Sequence, residues 1–353
     1  MGKAALTAVS LLAAMSLCAT AEIRWIDRDY DFGLMKEIAG PKTGTSRFVN
    51  LGPDTVTIFS VRPSCGCTTA DYSDAPIAPG DTAVVSYTYN PDMRPGKFDK
   101  SVKVRLSNGD RYSIRITGNV LGTPESLATL YPVDAGDIRL SDAVIQAGDV
   151  TFGRTRAFFV NAYSLPLDSI SPVVVSGSQG LAVTPSRPKA GPGDIITYSV
   201  NFDSRRHGVY GPVEIPVTFR ADAASEPATV TFHAFVLPDT EALTLHQKGK
   251  HPACDLTPDP IDLGMRVGTG RVRTELTVTN SGSGPLHILR LYAPSDAVSF
   301  GKLPKEIKPG KSARIKVEVD AASLSGGPFR IPVDVITDDP VHPHLQISVS
   351  GNK

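Results

Sequence analysis

Tryptophan occurs once in the 353 residues, at Trp25, and cysteine four times. Four cysteines are too few for a disulfide-stapled scaffold, and none has the C-x-x-C spacing of a thioredoxin-like centre or a zinc knuckle. Charge of one sign is also missing. Thirty-six basic residues balance 36 acidic ones, so the chain carries no basic footprint for nucleic acid. No charged run stands out, and the charges read as a mixed, solvated surface. Beyond the first 21 residues there is no apolar run long enough to cross a bilayer, which takes about 20 residues. Runs of Ala, Leu, Glu and Lys that would favour long helices are also absent there. The chain has no G-x-S-x-G elbow, H-E-x-x-H pair, P-loop or Rossmann glycine pattern. We therefore expect no enzyme, no cofactor and no transmembrane segment.

The N-terminus has the three parts of a secretory signal: the charge of Lys3, an apolar stretch from Ala4 to Leu17, and the small-residue site Ala19-Thr20-Ala21. Cleavage after Ala21 is expected, which makes residues 1–21 a signal peptide. Cys18 suggests a lipid anchor, but it follows Leu17 where a small residue is usual. Export to the periplasm or cell surface is expected.

What is abundant is turn chemistry. There are 31 glycines and 29 prolines, and Val, Thr and Ser dominate the segments between them, as in many short strands joined by turns. Three stretches align: "SRFVNLGPDTVTIFSV", "RAFFVNAYSLPLDSIS" and "TELTVTNSGSGPLHIL". Each places an asparagine, Asn50, Asn161 or Asn280, between a strand and a polar turn. About 30 residues later come Pro79-Gly80, Pro192-Gly193 and Pro309-Gly310, each followed by an alternating strand. A period-2 pattern puts one face in a core and the other in water. Turns at Gly96, Gly208 and Gly326-Gly327, then a closing strand, complete each copy. The opening strand of the second copy is the weakest match, and Ala147-Gly148 is taken as the counterpart of Phe32-Gly33. The reading is all-β, with three tandem immunoglobulin-like sandwiches of some seven strands each, at 22–122, 137–238 and 250–353. The segments "GTPESLATLYPVDAG" and "DTEALTLHQKGK" read as hinges with room for a helical turn.

Three constellations merit weighing. Cys65 and Cys67 flank Gly66 at the expected sandwich rim. A disulfide needs Cα atoms about 4.4–6.8 Å apart. Fully extended residues exceed most of that range and a turn meets it, with Gly66 permitting unusual φ. Besides a local bridge, two soft thiolates could clip copper or zinc, or pack as small hydrophobes. His246, His251 and Cys254 could converge on a metal, although they lie in a connector and at a strand start. Alternation would put His342 and His344 on one face of an edge strand, while Pro340, Pro343 and the pair Asp338-Asp339 argue for an ordinary turn.

Residues 63–104 resemble a widespread family of bacterial exported domains without an assigned activity. The family pattern is matched by Cys65-Gly66-Cys67-Thr68, Pro76-Ile77-Ala78-Pro79-Gly80 and Gly96-Lys97-Phe98-Asp99-Lys100. The ending "VITDDPVHPHLQISVSG" is similar to Hydin-type (ASH) immunoglobulin-like domains, which share the sandwich of major sperm protein and pilus chaperones. The middle copy lacks both the cysteine pair and the D-D-P turn. The resemblance implies fold and export, and no activity.

Three functions are carried forward. The first is a non-enzymatic binding or structural protein presenting loops or strand edges to another cell-envelope or surface protein. The second is a periplasmic chaperone that caps subunits by strand addition. The third is a metal-handling or redox module built on Cys65 and Cys67.

Overall fold

Alternation in the sequence becomes alternation in burial. In the computed structural model, which describes residues 22–165, 168–176, 180–223, 225–264 and 267–353, Ile195–Asp203 alternates half-buried and buried residues throughout. The proposed signal peptide and Cys18 lie outside the described residues.

The first sandwich holds β1 (Ile23–Trp25), β2 (Asp29–Lys36), β3 (Lys42–Asn50), β4 (Ile58–Pro63), β5 (Thr68–Tyr72), β6 (Thr82–Tyr89), β7 (Gly96–Leu106) and β8 (Arg111–Leu121). Its sheets run β1-β3-β6-β5 and β2-β8-β7-β4. They enclose a core that includes Phe48, Val85, Tyr87, Val102, Ile114 and Ile116. Helix α1 (Pro124–Leu130) follows.

The second sandwich holds β9 (Val133–Ala135), β10 (Ile138–Leu140), β11 (Val144–Thr151), β12 (Thr155–Ser164), β13 (Val173–Ser176), β14 (Leu181–Pro185), β15 (Ile195–Asp203), helix α2 (Ser204–His207), β16 (Gly211–Arg220) and β17 (Ala228–Leu237). Its sheets are β14-β15-β12-β10-β9 and β11-β17-β16-β13. Helix α3 (Thr240–His246) leads to the third sandwich: β18 (Cys254–Thr257), β19 (Ile261–Asp262), β20 (Arg271–Asn280), β21 (Ile288–Tyr292), β22 (Val298–Phe300), β23 (Ser312–Asp320), β24 (Pro328–Thr337) and β25 (His344–Asn352). These form β18-β20-β23-β22 and β19-β25-β24-β21. Each of these two sandwiches also closes on its own cluster of buried side chains.

Eight or nine strands stand where seven were expected, because the opening strand is split between the two sheets. Its first piece pairs antiparallel in one sheet (β1 with β3, β10 with β12, β18 with β20). Its second runs parallel to the closing strand of the other (β2 with β8, β11 with β17, β19 with β25). Register slips between Asp31 and Leu34, and again between Gln146 and Asp149. The bulges hold Gly33 at φ +68° and Gly148 at φ +62°, a region glycine occupies without Cβ strain. Ala147-Gly148 thus occupies the place of Phe32-Gly33.

The asparagine alignment needs correction in the middle copy. Ile23 pairs with Asn50 and Cys254 with Asn280, while Ile138 pairs with Ser164. Isolated bridges six residues on, Val56 to Ile77, Ile170 to Ala190 and Leu286 to Ile307, fix the same register. Asn161 lies three residues too early, within β12, and its side-chain oxygen accepts from the Thr197 hydroxyl, at 2.8 Å. Residue identity had suggested the match, and strand pairing overrules it.

Asn50 and Asn280 are fully buried. Asn50 donates to the carbonyls of Asp54 (2.8 Å) and Ile77 (3.0 Å) and accepts from Gly52 N–H (3.1 Å). Asn280 repeats this with Gly284, Ile307 and Gly282 at 2.7, 2.8 and 3.0 Å. The Pro-Gly turns answer them, since Gly80 and Gly310 donate to the backbone oxygens of Asn50 and Asn280. Each carboxamide therefore satisfies backbone groups that a buried loop would otherwise leave unpaired.

The first connector is shorter than expected, because Val133–Ala135 is a strand of the second sandwich, which thus begins before residue 137. The chain divides into two compact units. One runs up to Leu130 and includes Pro192–Ile195. The other holds Tyr131–Gly191 and Ile196–Lys353, and so contains most of the second sandwich and all of the third. Within this larger unit the second connector is tied down and is not a free hinge. Gln247 donates to Asp338 O at 3.1 Å, Arg290 donates to Tyr210 O, and the Phe235 and His344 rings lie 4.6 Å apart.

Candidate functional site

The Cys65-Gly66-Cys67 turn carries the chain from β4 in one sheet to β5 in the other. A disulfide joins Cys65 and Cys67, with Cα atoms 5.3 Å apart. Cys67 is buried against the core, Cys65 is half-buried, and both sulfurs lie near the Thr68 hydroxyl, at 3.5 and 3.9 Å. Thr68 N–H donates to Cys65 O, and Asn90 N–H to Cys67 O at 2.8 Å. Gly66 is outside the left-handed region, and a Cβ added there meets nothing within 4 Å. The expectation that Gly66 supplies unusual φ is therefore corrected: the turn needs no special backbone at that residue.

The same turn recurs without sulfur. In the third sandwich Val298 N–H donates to Ser295 O and Asp320 N–H to Ala297 O, so Ser295 and Ala297 stand where Cys65 and Cys67 do. In the second, Asp203 N–H donates to Gly180 O in the place of Cys67. Strand crossing at this rim thus needs only backbone bonds, and the disulfide is an addition to the first copy. Beside it, Arg94, Lys97 and Lys100 and the stacked rings of Tyr89 and Phe98, 3.8 Å apart, line a concavity of about 530 Å³. Joined sulfurs present no thiolate to a metal.

The histidine constellations do not assemble. His246 ends α3 and is exposed, His251 Nδ1 lies 3.0 Å from Gln247 Oε1, and Cys254 is buried at the start of β18. Burial, reinforced by Asp339, Asp255 and Asp338, pushes the Cys254 thiol up to about 12. His342 is in the turn and only His344 is on the strand, so the expectation of one shared face fails. His344 Nε2 instead meets Asp334 Oδ1 at 2.8 Å. Nor is that strand at an edge, since β25 lies between β19 and β24. Among the described residues no group of three or more His, Cys, Asp or Glu could hold a metal ion.

The acidic pair Asp338-Asp339 is a structural knot. Asp338 accepts from His287 N–H at 2.7 Å and meets its Nδ1 at 2.6 Å. Asp339 accepts from Cys254 N–H at 3.0 Å and from Val341 and His342 N–H. The turn-forming role was expected, and the reach across to β18 was not. Sequence reasoning also missed Glu37. This buried carboxylate accepts from Met93 N–H (2.7 Å), Thr123 N–H (2.8 Å) and the Ser126 hydroxyl, clamping a loop and the start of α1. A lone glutamate after a strand carries no signal that could have revealed it.

Residues 23–120 match a protein family of unknown function (DUF1573), and residues 252–352 match the HYDIN/CFA65/VesB-like Ig-like domain. Neither description names an enzymatic activity. No curated protein matches the chain. Among solved structures, a protein of unknown function from Porphyromonas gingivalis W83 is similar at 17% identity, covering 62% of this chain and all of that one, with a TM-score of 0.46. The ASH / PapD-like domain 7 of human CEP192 is similar at 10% identity over 29% of this chain and 86% of that one, TM-score 0.25. The secreted serine protease VesC from Vibrio cholerae is similar at 12% identity, over 60% of this chain and 51% of that one, TM-score 0.28. Among the described residues no helix is long and apolar enough to cross a membrane.

Proposed function

We propose that this chain is an exported, non-enzymatic binding protein that offers its strand edges and rim loops to another cell-envelope or surface protein. The observation that carries the reading is the open edge at β4. Among the described residues this strand ends the β2-β8-β7-β4 sheet with no strand paired on its other side, and it carries Phe59, 63% exposed. Unpaired strand N–H and C=O groups are a template for a partner strand. The match to an unknown-function family and an Ig-like domain fits a binding role.

The test is capture from envelope extract by the purified mature protein, with hydrogen exchange on each complex obtained. The expected result is a partner that protects β4 and is lost when Ser60→Glu places a negative charge on the outer face of that edge strand. A partner that protects none of the strand edges, or a hydrolytic activity copurifying with the chain, would sink the reading.

A further inference from the structure

The charges that look evenly mixed along the sequence are sorted on the folded first sandwich. On the outer face of the β2-β8-β7-β4 sheet, Arg62 pairs across strands with Lys103, and Arg105 with Arg111. Directly opposed like charges destabilise a sheet. All four are exposed, and among the described residues none forms an ion pair. The same sheet pairs its charges elsewhere: Arg115 grips Asp99 through Nη2 at 2.7 Å and Nε at 3.1 Å. The carboxylate next to Arg111 in sequence, Asp110, is held by Asn108 Nδ2 at 2.9 Å and the Tyr112 hydroxyl at 3.2 Å. Two pairs of facing cations are thus left without a counter-charge of their own.

With Phe59 and Ser60, these cations line an open trough of about 570 Å³. The Arg105 guanidinium lies 4.9 Å from the centroid of the exposed Phe59 ring, a cation–π contact that holds the charge over an apolar floor. The trough borders the free edge of β4. Neighbouring strands lie about 4.8 Å apart and alternate residues of one strand about 6.7 Å apart, so the cations form a grid matched to carboxylates at every second residue of an extended chain.

We infer that the face formed by Arg62, Lys103, Arg105 and Arg111 docks an extended acidic polypeptide segment lying along β4. This rests on the reading of the chain as a protein-binding module and names the partner's chemistry. Backbone groups at the edge and carboxylates over the face would act together, a combination that an anionic glycan or a lipid headgroup layer cannot supply.

The test uses the full mature protein and a fluorescein-labelled 12-residue peptide of alternating Glu and Thr, read by anisotropy. Saturable binding at low salt is expected, weakened at least tenfold by Arg105→Glu with Arg111→Glu and unchanged by Lys302→Glu on the third sandwich. Binding should also fade as the screening length shrinks from ~10 Å at 0.1 M to ~3 Å at 1 M salt. The salt series on the unaltered protein keeps the test decisive if the double variant misfolds. Absence of peptide binding, equal binding by a folded double variant, or insensitivity to salt would overturn the inference. So would binding of phosphatidylglycerol vesicles or polygalacturonate, but not the peptide, through these residues. If the double variant still captures a β4-protecting partner from extract, this inference falls while the wider binding role stands.

Discussion

Replacing Asn50 by alanine should unfold the first sandwich at much lower denaturant and leave the rest of the chain as it was. The carboxamide is fully buried and holds two backbone carbonyls and one backbone N–H at 2.8–3.1 Å. Alanine leaves the Gly52 N–H and the Asp54 carbonyl without their partner, while Ile77 O keeps the Val56 N–H; each stranded group costs about 1–3 kcal/mol when water cannot reach it. Because water can reach Asp54, the loss is about 2–3 kcal/mol, a large share of the roughly 5–15 kcal/mol that a domain has in hand. Trp25, the single tryptophan, reports on this sandwich alone, since its ring lies 4.9 Å from Phe48 and 5.7 Å from Tyr112. With a urea slope of ~1–2 kcal/mol per molar, the Trp25 fluorescence midpoint should drop by about 1 M or more. Asn161→Ala, which removes one bond to Thr197 in another sandwich, should leave that midpoint unmoved. A shift below about 0.3 M for Asn50→Ala would refute the argument that this side chain carries the buried loop.

Cys65→Ser with Cys67→Ala copies the residues found at the same turn of the third sandwich. Closing so short a loop contributes only ~1.6 kcal/mol of chain entropy, so the Trp25 transition should fall modestly with the fold intact; collapse of the sandwich would show the turn needs its sulfurs. Cys254, with its thiol pushed up to about 12, should resist a maleimide at pH 8 for as long as the protein is folded and react once urea exposes it; rapid native labelling would contradict its burial. Tyr87 is likewise raised to about 12, chiefly by burial. Because the folded value lies above the unfolded one, its contribution is complete below about pH 10 and is lost as pH rises from there towards 12. The Trp25 urea midpoint should therefore fall across that window, and less steeply in Tyr87→Phe; an equal slope in the variant would exclude this tyrosine as the cause. Glu37→Ala leaves the Met93 and Thr123 N–H groups without their acceptor, while the Ser126 hydroxyl keeps Thr123 O; it should cost about 1–3 kcal/mol, read as faster amide exchange at Met93 and Thr123.

Period-2 alternation, Pro-Gly turns and repeated spacing were enough to place strands and sandwich copies, because each is a local property of the chain. "TAVVSYTYN" and "ARIKVEVD" bury the faces their patterns assign, and Gly80 and Gly310 turn where their spacing puts them. The sequence also pointed to a rim turn at Cys65-Gly66-Cys67, but not to its sulfur-free copies, since Ser295 and Ala297 share no chemistry with cysteine.

Everything that depends on register across strands had to come from the tertiary structure. Asn161 matched Asn50 by letter, yet backbone pairing gave that position to Ser164. Likewise, whether Arg62 faces a carboxylate or Lys103 follows from how β4 and β7, about 40 residues apart in sequence, align. A local pattern says which side of a strand is wet, but only the pairing of distant strands says which charges meet on it.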